Sequence, residues 1–194
     1  MNNSMSSGYL EIFIGPMWSG KTSELVKLHK RYSFCNVPVL AINYFHDTTA
    51  SSVTTITNHD QLNIPCESGE TLSGISDIMN KKVSKTFDDA NVILINEGQF
   101  FKDIVGWVKC AVETYNKTVY VCGLDGDYQR KTFGDWLYLI PFCDKVTKLH
   151  SLCGSCKRED AIFSHRNSGE SNAQELIGTM YTPLCRKCYI SLNT

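Results

Sequence analysis

Apolar residues gather in short blocks separated by polar stretches, and the blocks alternate between two periods. Residues 9–14 (Y-L-E-I-F-I) and 37–42 (V-P-V-L-A-I) are rich in β-branched and aromatic side chains and predict strands. Between them Leu25, Leu28 and Tyr32 recur at helical spacing and predict a helix over 21–34. Residues 92–95 are apolar at every position, the pattern of a central strand covered on both faces. Further helices are predicted over 74–82 and 101–115, and further strands over 118–122 and 145–149. The Ser- and Thr-rich residues 48–57 and the stretch 123–127 predict loops. Alternating strands and helices predict an α/β fold, a mostly parallel sheet flanked by helices. Composition shifts near His150. The expected organisation is a flexible tail over 1–8, an α/β body over 9–149 and a small cysteine-bearing lobe over 150–194.

Composition narrows the function classes. With 42% hydrophobic and 20% charged residues, the chain reads as an ordinary globular protein. A formal net charge of -1 supplies no basic strip, which argues against nucleic acid as the main partner. No apolar run is long enough to span a bilayer, and residues 1–8 lack a secretory pattern, so a cytoplasmic protein without a membrane partner is expected. The odd number of cysteines, nine, argues against a complete disulfide framework. Cys35, Cys66, Cys110, Cys122 and Cys143 stand among apolar residues and read as small buried hydrophobes.

Three features carry chemistry. Gly15-Pro16-Met17-Trp18-Ser19-Gly20-Lys21-Thr22 matches G-x-x-x-x-G-K-[ST] after a predicted strand and before a predicted helix. Such a loop turns its amides inward on phosphate, adds the lysine charge and offers the threonine hydroxyl to Mg²⁺. It names no reaction, because kinases, GTPases and motors share it. Glu97 follows the 92–95 strand, on the edge where parallel sheets bind ligands, and could accept a proton there. Gly98 next to it would permit close approach. Cys153-x-x-Cys156 and Cys185-x-x-Cys188 have zinc-ligand spacing, and four thiolates match a closed structural Zn²⁺ site. The 28 residues between the pairs would form a long loop tied at its base.

Taken together, G-P-M-W-S-G-K-T, I-N-E-G-Q-F-F, L-D-G-D-Y-Q-R-K and the two cysteine pairs resemble a type II thymidine kinase, the cytosolic and poxviral type, over nearly the whole chain. The resemblance implies transfer of the ATP γ-phosphate to the 5′-hydroxyl of thymidine. It implies ATP binding by Gly15 to Thr22, with Asp47, Thr48 and Thr49 as a further nucleotide-contacting stretch and Asn96, Glu97, Gly98 and Gln99 beside it. Glu97 corresponds to the general base. Met17, Phe100, Leu124, Tyr128, Phe133 and Ser164 correspond to the nucleoside pocket. Gln174, Glu175, Leu176, Ile177, Gly178 and Tyr181 correspond to a lasso that grips the base. Cys153, Cys156, Cys185 and Cys188 correspond to the zinc ligands. Homotetramers and feedback inhibition by dTTP are family properties. The chain departs from the pattern at Asn96, where the family has Asp, at Thr49 for Arg, and at Tyr128 for Phe. Ser164 stands where some members have Thr, and the lasso lacks the usual double glycine. Three other readings compete: a nucleotide-driven ATPase or GTPase, a zinc-dependent nucleic-acid-binding module and, as a variant of the main reading, a deoxynucleoside kinase with altered base preference.

Overall fold

The computed structural model of the protein describes residues 7–45, 55–167 and 181–193. Its frame is a six-stranded sheet in which every neighbouring pair is parallel. The strands are β1 (Tyr9–Ile14), β2 (Val39–Tyr44), β5 (Glu67–Gly69), β6 (Val92–Ile95), β7 (Thr118–Gly123) and β8 (Lys145–Lys148), in the spatial order β5-β2-β6-β7-β1-β8. The two strands that carry continuous apolar runs, β6 and β7, lie inside the sheet, where both faces need cover.

The period-2 alternation of the strands assigns the two faces. Ile12, Ile42, Ile93, Ile95 and Val121 point to one side and pack with Leu72 of α2 (Leu72–Ile75), Phe87 of α3 (Lys85–Asp89) and Trp107 of α4 (Ile104–Glu113). Phe13, Ala41, Leu94 and Cys122 point to the other side and pack with Leu25 and Val26 of α1 (Lys21–Phe34). A hairpin of β3 (Thr55–Thr57) and β4 (Asn63–Pro65) extends that second cover through the buried Ile56 and Ile64. No helix among the described residues is long and apolar enough to cross a membrane.

Several expectations need correction. Residues 55–57 are a strand rather than loop, because Ile56 is an isolated apolar anchor that a Thr-rich context conceals. The second sheet strand begins at Val39, since Pro38 has no amide to give a ladder. The stretch 74–82 is no single helix: α2 ends at Ile75 and a separate 3₁₀ turn covers Ile78–Asn80. Of the five scattered cysteines only Cys122 is buried, and Cys35 is exposed just past the end of α1. The segment between the cysteine pairs is not one long loop. It holds β10 (Asp160–Ala161), β11 (Phe163–Arg166) and β12 (Tyr181–Leu184), with β10 paired to β9 (Ser151–Leu152) and β11 to β12. α5 (Arg186–Asn193) follows, and Cys153, Ala161, Leu184, Cys185 and Tyr189 form the small core beneath it.

Candidate active site

The carboxyl ends of β2, β6, β7 and β1 meet at the turn 15–20, which lies between β1 and α1. Gly20 occupies the N-cap of α1 in the left-handed region, φ 84°, where a Cβ would be strained. Lys21 begins the helix and folds back: its Nζ donates to the Pro16 carbonyl at 2.7 Å and to Ser19 Oγ at 3.4 Å. Only 7% of Lys21 is exposed, and burial lowers its pKa, an effect opposed first by the charge of Glu97 and further by that of Asp125. Asp125 is itself paired with Lys148 at 2.8 Å. The indole of Trp18, half exposed, stacks on His59 of the β3–β4 turn, with centroids 4.0 Å apart.

Beyond β6, Asn96 is buried and Glu97 takes the left-handed conformation, φ 54°. That conformation is rare for a residue with a Cβ and costs about 1–2 kcal/mol. It is retained because the next turn is over-determined. Gln99 Nε2 donates to Glu97 Oε2 at 2.5 Å, and Gln99 Oε1 accepts from the Leu124 amide at 3.0 Å. Gly98 permits a close approach, but to the sheet rather than to a ligand: a Cβ there would sit 2.7 Å from Val121 Cγ1. Thr22 Oγ1 lies 3.5 Å from Asn96 Oδ1.

The aromatic positions divide into two groups. Phe100, directly after Gln99 in the chain, stacks on Tyr44 at 4.9 Å and meets Phe133 edge-on at 5.3 Å. Tyr128 faces the cysteine lobe instead. The Arg166 guanidinium lies 3.7 Å from its ring centroid, and the same guanidinium donates to Tyr181 Oη at 2.9 Å. The Tyr189 hydroxyl donates to the Tyr128 carbonyl. Ser164 Oγ accepts from the Met17 amide at 2.9 Å, so β11 reaches the 15–20 turn directly. A cleft of about 430 Å³ opens beside this junction, lined by Trp18, Leu152, Gly154, Lys157, Tyr181 and Pro183. Lys21 and Glu97 do not line it. Asp47, Thr48, Thr49, Gln174, Glu175, Leu176, Ile177 and Gly178 lie outside the described residues.

The four paired cysteines offer sulfur atoms that all lie within 4.8 Å of one another. Tetrahedral zinc with bonds of about 2.3 Å needs sulfurs about 3.8 Å apart, so this set fits the metal and leaves no open position. At Cys153 burial opposes ionisation, but the backbone amides of Cys185, Cys156 and Ser155 outweigh it and lower the pKa, whereas at Cys185 the Cys188 amide is outweighed by burial and by the neighbouring thiols, which raise it. Such amides are what a metal-bound thiolate requires. Arg166 and Asn43 are functional candidates that the sequence reading did not identify. No short motif marks them, and only the strand register brings them to the site.

A buried lysine at a helix start, a strand-end carboxylate and a parallel α/β frame suit phosphate chemistry, and the comparisons with known proteins narrow the class to a kinase. The sequence model of the thymidine kinase family matches residues 8–189. Sheeppox virus thymidine kinase is 39% identical over 188 residues, covering 95% of this chain and 98% of that protein. Vaccinia virus (strain Western Reserve) and variola virus thymidine kinases are 38% and 37% identical over 188 residues, each covering 96% of this chain and 99% of the relative. The chain belongs to the thymidine kinase family.

Proposed function

We propose that the protein transfers the γ-phosphate of ATP to the 5′-hydroxyl of thymidine, with Glu97 as the general base. The observation that carries the reading is a strand-end Glu97 carboxylate held by Gln99 Nε2 and lying near enough to the buried Lys21, though not ion-paired with it, for its charge to oppose the lowering of that lysine's pKa by burial. Phosphoryl transfer needs positioning and charge neutralisation more than covalent chemistry. The turn amides and Lys21 would hold the phosphates. Glu97 would accept the proton of the attacking hydroxyl, its rotamer fixed by Gln99. This makes Gln99 a positioning residue rather than a direct nucleotide contact. Phe100 and Phe133, with Leu124, would wall the base, and Met17, Tyr128, Ser164 and Tyr181 would close the side toward the lobe. Mg²⁺, when bound, would spread the charge on the transferring phosphoryl oxygens, and Thr22 Oγ1 and Asn96 Oδ1 are oxygen donors of the hard type it takes.

The wider reading follows from the same assignment. Zinc on Cys153, Cys156, Cys185 and Cys188 would be structural. A homotetramer inhibited by dTTP, located in the cytoplasm, is the expected working form. A body over 9–149 and a lobe over 150–194 belong to the same proposal, supported by the end of the last strand of the six-stranded sheet at Lys148.

Glu97→Gln tests the assignment. Thymidine and ATP binding should persist while turnover falls by about 10²–10⁴-fold, the range for loss of a general base. Turnover within a few-fold of the parent would remove Glu97 from the role.

A further inference from the structure

The carboxyl ends of three adjacent strands carry a row of polar side chains that a carboxylate-based metal site would not need. The register Ile42↔Ile95↔Val121 across β2, β6 and β7 places Asn43, Asn96 and Cys122 side by side, one residue further along. Alternation puts all three on the α1 face, below Lys21 and Thr22. Asn43 and Asn96 are each only 2% exposed and Cys122 1%, so the row is dry. Asn96 Nδ2 donates to Asn43 Oδ1 at 2.9 Å, and the Cys122 thiol donates to Asn96 Oδ1 at 3.1 Å. The Thr22 hydroxyl lies at 3.5 Å on that same oxygen.

An amide differs from a carboxylate in having two unlike ends. Its oxygen accepts and its nitrogen only donates, so it works in one orientation of the two. At Asn96 the orientation is determined twice. The thiol and hydroxyl donors converge on the oxygen, and the nitrogen finds an acceptor in Asn43. We propose that Asn43 is the positioning residue of the metal side of the site: its side-chain oxygen holds Asn96 so that the Asn96 carbonyl faces Thr22. This proposal rests on the nucleotide-binding reading of the 15–22 turn. Its consequence is that the Asn96 departure is half of a pair. Asn96→Asp alone would set a carboxylate oxygen, which cannot donate, against Asn43 Oδ1, so the 2.9 Å hydrogen bond would become a repulsive contact that the Lys21 ammonium above the row offsets only in part. Asn43→Lys would supply a charged donor from the adjacent strand. The neutral Asn43–Asn96 pair and the charged pair created by the two substitutions together are therefore both self-consistent, and the mixed states are not.

The test is a four-variant cycle on the zinc-loaded protein, read first without nucleotide or magnesium. Asn96→Asp alone should lower the thermal midpoint by about 5 °C, given a sensitivity of about 2–4 °C per kcal/mol for a chain of this size. Asn43→Lys alone should lower it by a similar amount, and the double substitution Asn43→Lys/Asn96→Asp should recover most of the loss. Additive losses in the double variant, or no loss in Asn96→Asp, would overturn the pairing. Asn43→Leu removes the acceptor without adding charge. It should weaken binding of the Mn²⁺–ATP complex, measured by calorimetry, by about three- to tenfold, the scale of one hydrogen bond. It should raise the half-saturating Mg²⁺ by the same factor while the KM for thymidine moves less than about twofold, since that hydrogen bond lies on the metal side. Unchanged Mn²⁺–ATP binding in Asn43→Leu would overturn the positioning role. If the proposed reaction is wrong, thymidine phosphorylation will be missing from the parent protein, whereas the melting cycle and Mn²⁺–ATP binding still report on the pair.

Discussion

Lys21 shows at the scale of one residue what the site costs the resting protein. Its ammonium is buried against a backbone carbonyl and a hydroxyl, with no carboxylate among the described residues within ion-pair distance. Burial lowers its pKa, so the folded chain tolerates the charge rather than gaining from it. Such strain is rational only where an anion arrives to complete the pair. Lys21→Met keeps the stem and removes the charge. We expect the thermal midpoint without ligand to rise by about 2–4 °C, corresponding to about 1 kcal/mol of relieved desolvation. The same variant should bind ATP more than about tenfold more weakly, because a hydrogen bond to a charged group contributes about 1.5–3 kcal/mol. Thermal unfolding with and without ATP checks both halves. A lower midpoint without ligand would mean that the ammonium supports the turn instead of straining it.

At the scale of elements, the start of β1 is held by a polar cluster unrelated to the ligand. Glu11, nearly buried, accepts from Thr147 Oγ1 at 3.1 Å and pairs with Lys145 at 2.7 Å, which joins β1 to the edge strand β8. The Tyr9 hydroxyl donates to the same carboxylate at 3.0 Å, and burial followed by that bond pushes its pKa up to about 12. Tyr120, bonded to Tyr32 at 2.8 Å, is raised as well, by burial first and then by that bond. An unfolded phenol ionises near about 10. Below that pH both states keep the proton, and the contribution to stability is complete. Between about 10 and 12 the unfolded state loses its proton first, so stability falls, and above about 12 the contribution is gone. Urea unfolding at pH 8, 10 and 11 should show this decline, and Tyr9→Phe should flatten part of it. An equal decline in Tyr9→Phe would move the cause elsewhere. The sequence revealed β1, α1, β6 and β7 readily, since each is a continuous apolar run or a clear helical stripe. It concealed the β3–β4 hairpin, whose whole anchorage is Ile56 and Ile64 set among polar residues. It also concealed the lobe strands, which at two to four residues are too short to show a period. The turn 15–22, Glu97 and the cysteine pairs were legible because their chemistry is local in sequence. Asn43 and Arg166 were not, because each acquires a role only through partners on other strands or loops.

Across the whole molecule, the cysteine lobe reaches two parts of the site through alternate residues of one strand. The buried face of β11 presents Ser164 to the Met17 amide and Arg166 to the rings of Tyr128 and Tyr181. Zinc would fix the base of that strand from both ends, through Cys153 and Cys156 before it and Cys185 and Cys188 after it. Metal binding should therefore couple to catalysis without touching a reactant. Chelation of zinc, or Cys156→Ser, should abolish turnover while most far-ultraviolet dichroism persists, because the sheet packs through Ile12, Ile93 and Trp107 rather than through the lobe. Loss of all secondary structure on chelation would instead make the lobe part of one cooperative fold. Arg166→Met separates the lobe's grip from its metal. It keeps the apolar stem and removes both the stacking on Tyr128 and the bond to Tyr181. A desolvated cation–π contact of about 2 kcal/mol corresponds to roughly thirtyfold in affinity. The KM for thymidine should rise by about that factor, with zinc content unchanged and the KM for ATP moving far less. Arg166→Lys should recover only part of the loss, since an ammonium cannot lie flat on one ring while bonding the next. Parallel increases in both KM values would show that Arg166 supports the fold in general rather than the nucleoside side of the site.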